Sequence, residues 1–253
     1  MPPPLTRVLP TGDLVRRAVR DLLDHREALL EAAFGWLVVL VAVDLVLVLL
    51  VGAPDGIGTM LVSALASIVA LSAVAVVWHR RILRGEPVPG PWPVLDARVL
   101  RYLGFYLAIG ALGSLVFLLG VGLLGMLPGV GVLALPAALM AALLVTARFQ
   151  LVLPAVASDD PSVGLATSWR LTDGNTVRLF AGLVLAIAPS WLALLVAPLL
   201  GAVFAGLGAK LFAQFVVLVV SATGLLLQAP LMAAYLSFVY LILRERGGPP
   251  ATA

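Results

Sequence analysis

The sequence predicts an all-α, polytopic integral membrane protein: six transmembrane helices arranged as three hairpins, with cytoplasmic interfacial amphipathic helices. Three observations carry this prediction. Of the 253 residues, 62% are hydrophobic and 11% charged, against about 45–50% and about 25% in soluble domains. The apolar residues fall into six runs, each long enough for a bilayer core about 30 Å thick, which a helix of about 20 residues crosses. Finally, 15 of the 16 Lys and Arg residues fall in segments that share one side of such a bundle, as the positive-inside rule requires.

Residues 1–33 form a first, cytoplasmic unit. They carry Arg7, Arg16, Arg17, Arg20 and Arg26 together with five acids, which is not the pattern of a cleavable signal peptide. Within them, residues 13–33 place Leu14, Val15, Val19, Leu22, Leu23, Leu29 and Leu30 at helical spacing, with charges on the other face. The expectation is an amphipathic helix, either lying in the membrane surface or docked on the bundle. The membrane domain spans 34–243, with helices near 34–52, 57–78, 102–124, 129–152, 179–200 and 211–243. The last exceeds one crossing, so Pro230 is expected to kink or divide it. Residues 244–253 form a short cytoplasmic tail.

With the N-terminus inside, the cytoplasmic segments 1–33, 79–101, 148–178 and 244–253 hold five, five, three and two arginines, and only Lys210 lies outside. Both termini are therefore expected in the cytoplasm. A basic face against anionic lipid headgroups explains the pI near 9.8, so membrane lipids are the expected partners and nucleic acid is not. A protein partner or a homo-oligomer is left open. The external connections, 53–56, 125–129 and 201–210, are short.

The loops have local grammar. Pro87, Pro89, Pro91 and Pro93 make a stiff, extended connector. His79, beside Arg80 and Arg81 at a span end, is placed to meet a headgroup. Asp160 and Pro161 read as N-cap and first residue of a short helix through SVGLATSWRL. Trp169 suits the interface and Gly174 a left-handed stop. Asn175 or Thr176 can cap the fifth span, with Arg178 at its mouth. RYLGFYLAIGAL from Arg101 is faintly similar to RLFAGLVLAIAP from Arg178, as in repeated hairpins. Glycines in GAPDGIG, GFYLAIGALG and GLVLAIA are expected to let helices approach closely.

Two segments carry a family resemblance. WHRRILRGE (78–86) is an arginine-rich exit from span two. After span four come Arg148 and, seven residues on, Ala155, then Ser168, Trp169, Leu171, Thr172, Gly174, Asn175, Arg178, Leu179 and Phe180. This pattern resembles the stand-alone relatives of the glycerophosphodiester phosphodiesterase membrane domain, the YciC-like proteins. The resemblance implies a multi-span protein of the bacterial inner membrane. It implies no phosphodiesterase activity, because the membrane domain is not the catalytic part of those enzymes. It marks Arg148, Trp169, Gly174, Asn175 and Arg178 as a cytoplasmic motif.

No Walker loop, dinucleotide fingerprint, HExxH or GxSxG occurs. With no cysteine and two histidines, no catalytic, cofactor-binding or metal-binding residue is predicted, and no cofactor. The residue that stands out is Asp44, ten residues into its span. A carboxylate near the bilayer centre costs about 2.5–3.5 kcal/mol. Pairing depths across the first hairpin brings Ser63 and Ser67 to its level, and no deep Lys or Arg is available as a counter-ion. Two readings stand: Asp44 fastens two helices through a serine or carbonyl, or it faces a cavity. The expected function is a non-catalytic accessory or membrane-organising protein that contacts lipids. The alternative is a small transporter or lipid-handling protein with Asp44 in its cavity, and a membrane-embedded enzyme comes third.

Overall fold

The computed structural model describes residues 9–51, 56–126, 129 and 131–247. The described residues are helical with no strand, and six helices are long and apolar enough to cross a membrane. The expectations for the tips at 53–55 and 127–128, and for the end of the tail, lie outside the described residues.

The first unit is not one helix. α1 (Thr11–Asp24) stops at His25, whose backbone leaves the helical region at φ −120°, ψ 38°. α2 (Arg26–Val51) then starts at once, so residues 26–33 belong to the first crossing helix. α1 packs on α8 and α9 and buries Leu14, Ala18 and Leu22, one stripe at four-residue spacing. Docking on the bundle is therefore the arrangement found, and Leu23 and Leu30 face outward.

α3 (Ile57–Arg84) runs past the expected end at Trp78. Gly85, at φ 66°, supplies the left-handed stop and donates its N–H to Arg81 O. α4 (Ala97–Gly125) is capped by Asp96, which accepts from the N–H groups of Arg98 and Val99, both at 3.0 Å. α5 (Gly131–Phe149) is followed by a turn and by α6 (Val152–Ala157). α7 (Leu165–Leu171) begins after Gly164, not at Pro161. Asp160 caps nothing helical: it accepts from Ser162 N at 3.0 Å and Ser162 Oγ at 2.6 Å, closing a local turn. α8 (Thr176–Gly206) and α9 (Lys210–Gly247) leave only 207–209 between them, with Gly208 at φ 84°. α9 runs unbroken through Pro230, which the sequence expected to kink or divide it. Neighbouring helices can re-satisfy the backbone that a membrane proline frees.

α9 is the axis. It packs against α1, α2, α3 and α8, while α4 and α5 form a hairpin that joins α3 at one edge and α8 at the other. The large buried side chains, Trp78, Tyr235, Tyr240, Leu151, Leu153 and Leu179, gather at the end rich in arginine, called the basic end below. Towards the opposite end the two helices within a hairpin meet at glycines. A Cβ at Gly120 would fall 2.8 Å from that of Ala138, and one at Gly201 would fall 2.5 Å from Val217 Cγ2. Among the glycines expected at contacts, Gly113 faces Thr146 and Gly182 faces Tyr235, whereas Gly58, Gly104 and Gly110 meet nothing. These last three lie on helix sides turned away from the bundle. The proline-rich connector is seated on α2: a Cβ at Gly35 would overlap Pro91 O.

Candidate functional site

At the basic end the sequence brings arginines out of α3 in consecutive turns. Arg80, only 6% exposed, is the centre. Its guanidinium bonds both carboxylate oxygens of Glu86, Asp159 Oδ2 at 2.7 Å and Ala157 O at 2.8 Å. Asp159 also meets Arg101 at 3.2 Å, and Arg84 and Arg98 at 3.8 Å. Its backbone sits at φ 51°, a region that Asp tolerates better than most residues. Arg80 bonded to Asp159 and to Glu86 holds both carboxyls below their usual range. Arg84 and Arg98 add to this, against the opposing effect of burial. Asp160 bonds Tyr240 Oη and meets Arg244 at 3.0 Å. Burial alone would raise its carboxyl, but Ser162, Tyr240 and Arg244 outweigh that and lower it. The loop after α6 is thus clamped to α3, α4 and α9.

The motif residues clamp as well. Arg148 donates to Trp169 O at 2.8 Å and Asp173 Oδ1 at 3.1 Å, and its guanidinium lies 3.8 Å from the Trp169 ring centroid. The Arg148 carbonyl accepts from Ser168 Oγ at 2.7 Å. Gly174 takes φ 72° between α7 and α8. Asn175 makes no side-chain cap for α8. Its Oδ1 accepts instead from Leu9 N at 3.0 Å, tying down the segment before α1. The Arg178 side chain is exposed, and its carbonyl accepts from Thr11 Oγ1 at 3.3 Å.

His79 does not reach a headgroup. It is fully buried, with Nδ1 2.8 Å from Ser237 Oγ and Nε2 3.4 Å from Tyr102 Oη. The sequence placed it at a span end. The cover supplied by α4 and α9 puts it inside.

The other polar site lies in the apolar part of the bundle. Asp44 sits seven residues before Val51, about 10 Å from the far end of α2. Ser63 Oγ donates to Asp44 Oδ1 at 2.7 Å. Thr59, Ser63 and Ser67 follow one another at four-residue spacing, so α3 presents one stripe of hydroxyls to α2. Ser67 does not bond Asp44; it lines the same cavity of about 410 Å³, which Asp44, Val48, Thr59, Ser63 and Leu218 also border. A second, more apolar cavity of about 500 Å³ shares Val48 and Leu218 and reaches Gln214 and Lys210. Together they form a cleft between the first hairpin and the α8–α9 pair. Asp44 is only partly covered, as are Ser63 and Ser67.

The structure therefore joins Asp44, Ser63 and Ser67 in one place and Arg148, Trp169 and Asn175 in another, at the basic end. The residues not anticipated are Arg80, Asp159, Asp160, Tyr240 and Ser237. For Arg80 and Asp159 the signal was charge complementarity: the arginines of HRRILR need partners, and Asp159 is an acid that follows span four, while Asp160 meets Arg244 instead. Compared with protein-family models, curated proteins and solved structures, the chain matches none.

Proposed function

We propose that this chain is a non-catalytic lipid-handling protein of the bacterial inner membrane that holds part of a lipid in the Asp44 cavity. The observation that carries the reading is that cavity: about 410 Å³, with one carboxyl and three hydroxyls in an otherwise apolar wall. An interhelical hydrogen bond in a membrane contributes about 0.6 kcal/mol on average and about 1.7 at most. A carboxylate near the bilayer centre costs about 2.5–3.5 kcal/mol. The Ser63 bond does not offset Asp44, so fastening two helices is a poor reason to keep it there. Room for a ligand beside it is a better one.

The remaining parts of the reading follow the charges. The basic end faces the cytoplasm and its anionic headgroups, with both termini inside. Single cysteines at Gly56 and Gly206 are expected to react with an impermeant thiol reagent from outside intact cells; labelling only after lysis overturns the orientation. The resemblance to YciC-like proteins belongs to the same proposal, with its motif serving to clamp the cytoplasmic loops.

Ser67→Leu tests the cavity, because it fills the space without touching the Asp44–Ser63 bond. Native mass spectrometry of the purified protein is expected to show one bound lipid fewer than in the wild type. An unchanged lipid count in Ser67→Leu, together with lower thermal stability in Asp44→Ala, would support the fastening role and remove the lipid reading.

A further inference from the structure

A third cavity, of about 450 Å³, lies at the basic end, away from Asp44. Its walls are Arg17, Arg20, Asp21 and Asp24 from α1, Arg81 from α3 and Phe238 from α9. Positions 17, 20, 21 and 24 share one face of α1, beside the stripe of Leu14, Ala18 and Leu22 that fixes the helix on the bundle. The cavity is thus held by packed elements rather than by loops.

Its charges divide into two sets. Arg81 and Asp21 are engaged: they pair at 3.1 Å, and Arg81 stacks on Trp78 at 4.9 Å. The Arg17 guanidinium is held over the Phe238 ring at 4.3 Å, which orients it without neutralising it. Among the described residues neither Arg17 nor Arg20 has an ion-pair partner, and neither has Asp24. Two arginines and one carboxylate therefore remain uncompensated around one space.

We propose that this cavity binds the headgroup of a zwitterionic, amine-bearing phospholipid: Arg17 and Arg20 hold the phosphate and Asp24 receives the ammonium. Guanidinium groups suit phosphate because their planar donors match its oxygens. A headgroup that carries only the phosphate charge would satisfy the arginines but leave Asp24 without a partner, so the mixed charge set favours the amine-bearing one. The proposal rests on the basic end lying at the membrane surface, and it is independent of the Asp44 cavity.

The full-length protein, reconstituted in vesicles with equal phosphatidylethanolamine and phosphatidylglycerol and then extracted, provides the test by native mass spectrometry of retained lipid. The wild type is expected to retain the ethanolamine lipid about fivefold over the glycerol lipid, the size of a single lost charge contact. Arg17→Gln/Arg20→Gln is expected to lose most retention of both lipids. Asp24→Asn, an exposed change, is expected to reverse the preference with an unaltered melting temperature. Asp44→Leu is expected to leave the preference unchanged, so failure of the midbundle reading is told apart from failure of this one. Retention in the vesicle ratio, or an Asp24→Asn variant with the wild-type preference, would overturn the proposal. Displacement of the lipid by millimolar inorganic phosphate would reassign the cavity to free phosphate and overturn the lipid assignment.

Discussion

The two ends of the bundle are held by different physics. At the basic end Trp78, Tyr235 and Tyr240 are almost wholly buried, Arg80 has four acceptors, and α1, α6 and α7 cover the helix ends. At the opposite end Leu50, Ile57, Leu123, Met126 and Leu211 are mostly exposed, and the paired helices of the α4–α5 and α8–α9 hairpins touch at glycines. In water that second end would be a liability. In a bilayer an exposed leucine loses nothing, because lipid is as apolar as the core, and close backbone contact supplies the packing. Polar groups have no such freedom and must find partners. The molecule therefore closes tightly where it is charged and stays open where it is apolar, and the Asp44 cleft falls in the open part.

The largest expected effect comes from breaking the closed end at its centre. Arg80→Ala leaves Glu86, Asp159 and Ala157 O without their shared donor, so it is expected to cost about 3 kcal/mol, near the low end for a broken buried ion pair because the acids are part-exposed. Thermal unfolding in detergent micelles measures it; a loss near zero would mean that the network does not hold the end together. Gly182→Ala comes next. Its Cβ would overlap the hydroxyl of Tyr235, which is fully buried and cannot move aside. Overpacking of this kind costs about 1–3 kcal/mol. Gly110→Ala, where a Cβ meets nothing, is the paired control and is expected to be neutral or slightly stabilising. Equal losses at the two glycines would erase the contrast.

Acid is expected to act on the closed end. The carboxyls of Glu86, Asp159 and Asp160 lie below their usual range in the folded chain. The stability they contribute is therefore fully present above their unfolded values, near 4, and is lost as pH falls through the lower folded values. Partial exposure keeps this effect below that of removing Arg80. Limited proteolysis between about pH 5 and pH 2 is expected to release the 158–164 loop first; cleavage starting at the Gly56 tip would contradict the assignment.

The open end was the more legible in sequence. Bilayer thickness dictates the length of apolar runs, so six runs gave six helices, and depth counted along one hairpin brought Ser63 to Asp44. The closed end was legible in composition only. Asp160 before Pro161 has the local form of a helix start, but Tyr240 and Arg244, some eighty residues away, take its carboxylate. Asn175 has the form of a cap, but Leu9 N reaches its Oδ1. His79 reads as interfacial from its arginine neighbours, and nothing in its own segment shows that α4 and α9 will cover it. Depth along a helix is a one-dimensional quantity that sequence records. Burial by other elements is not.

The smallest effect is the sharpest test of the open end. A double-mutant cycle on Asp44→Ala and Ser63→Ala isolates their bond from the cost of the carboxyl itself. Its coupling energy is expected to be about 0.6 kcal/mol, the average for interhelical hydrogen bonds in membranes. The single Asp44→Ala change removes both the bond and a group that the membrane penalises. Its net effect on stability is therefore expected to be near zero or stabilising, although the bond is real. A coupling well above about 1.7 kcal/mol would mean that Asp44 fastens the first hairpin as firmly as the arginines fasten the other end. The cleft would then be a by-product of that fastening, and the two ends would follow one rule.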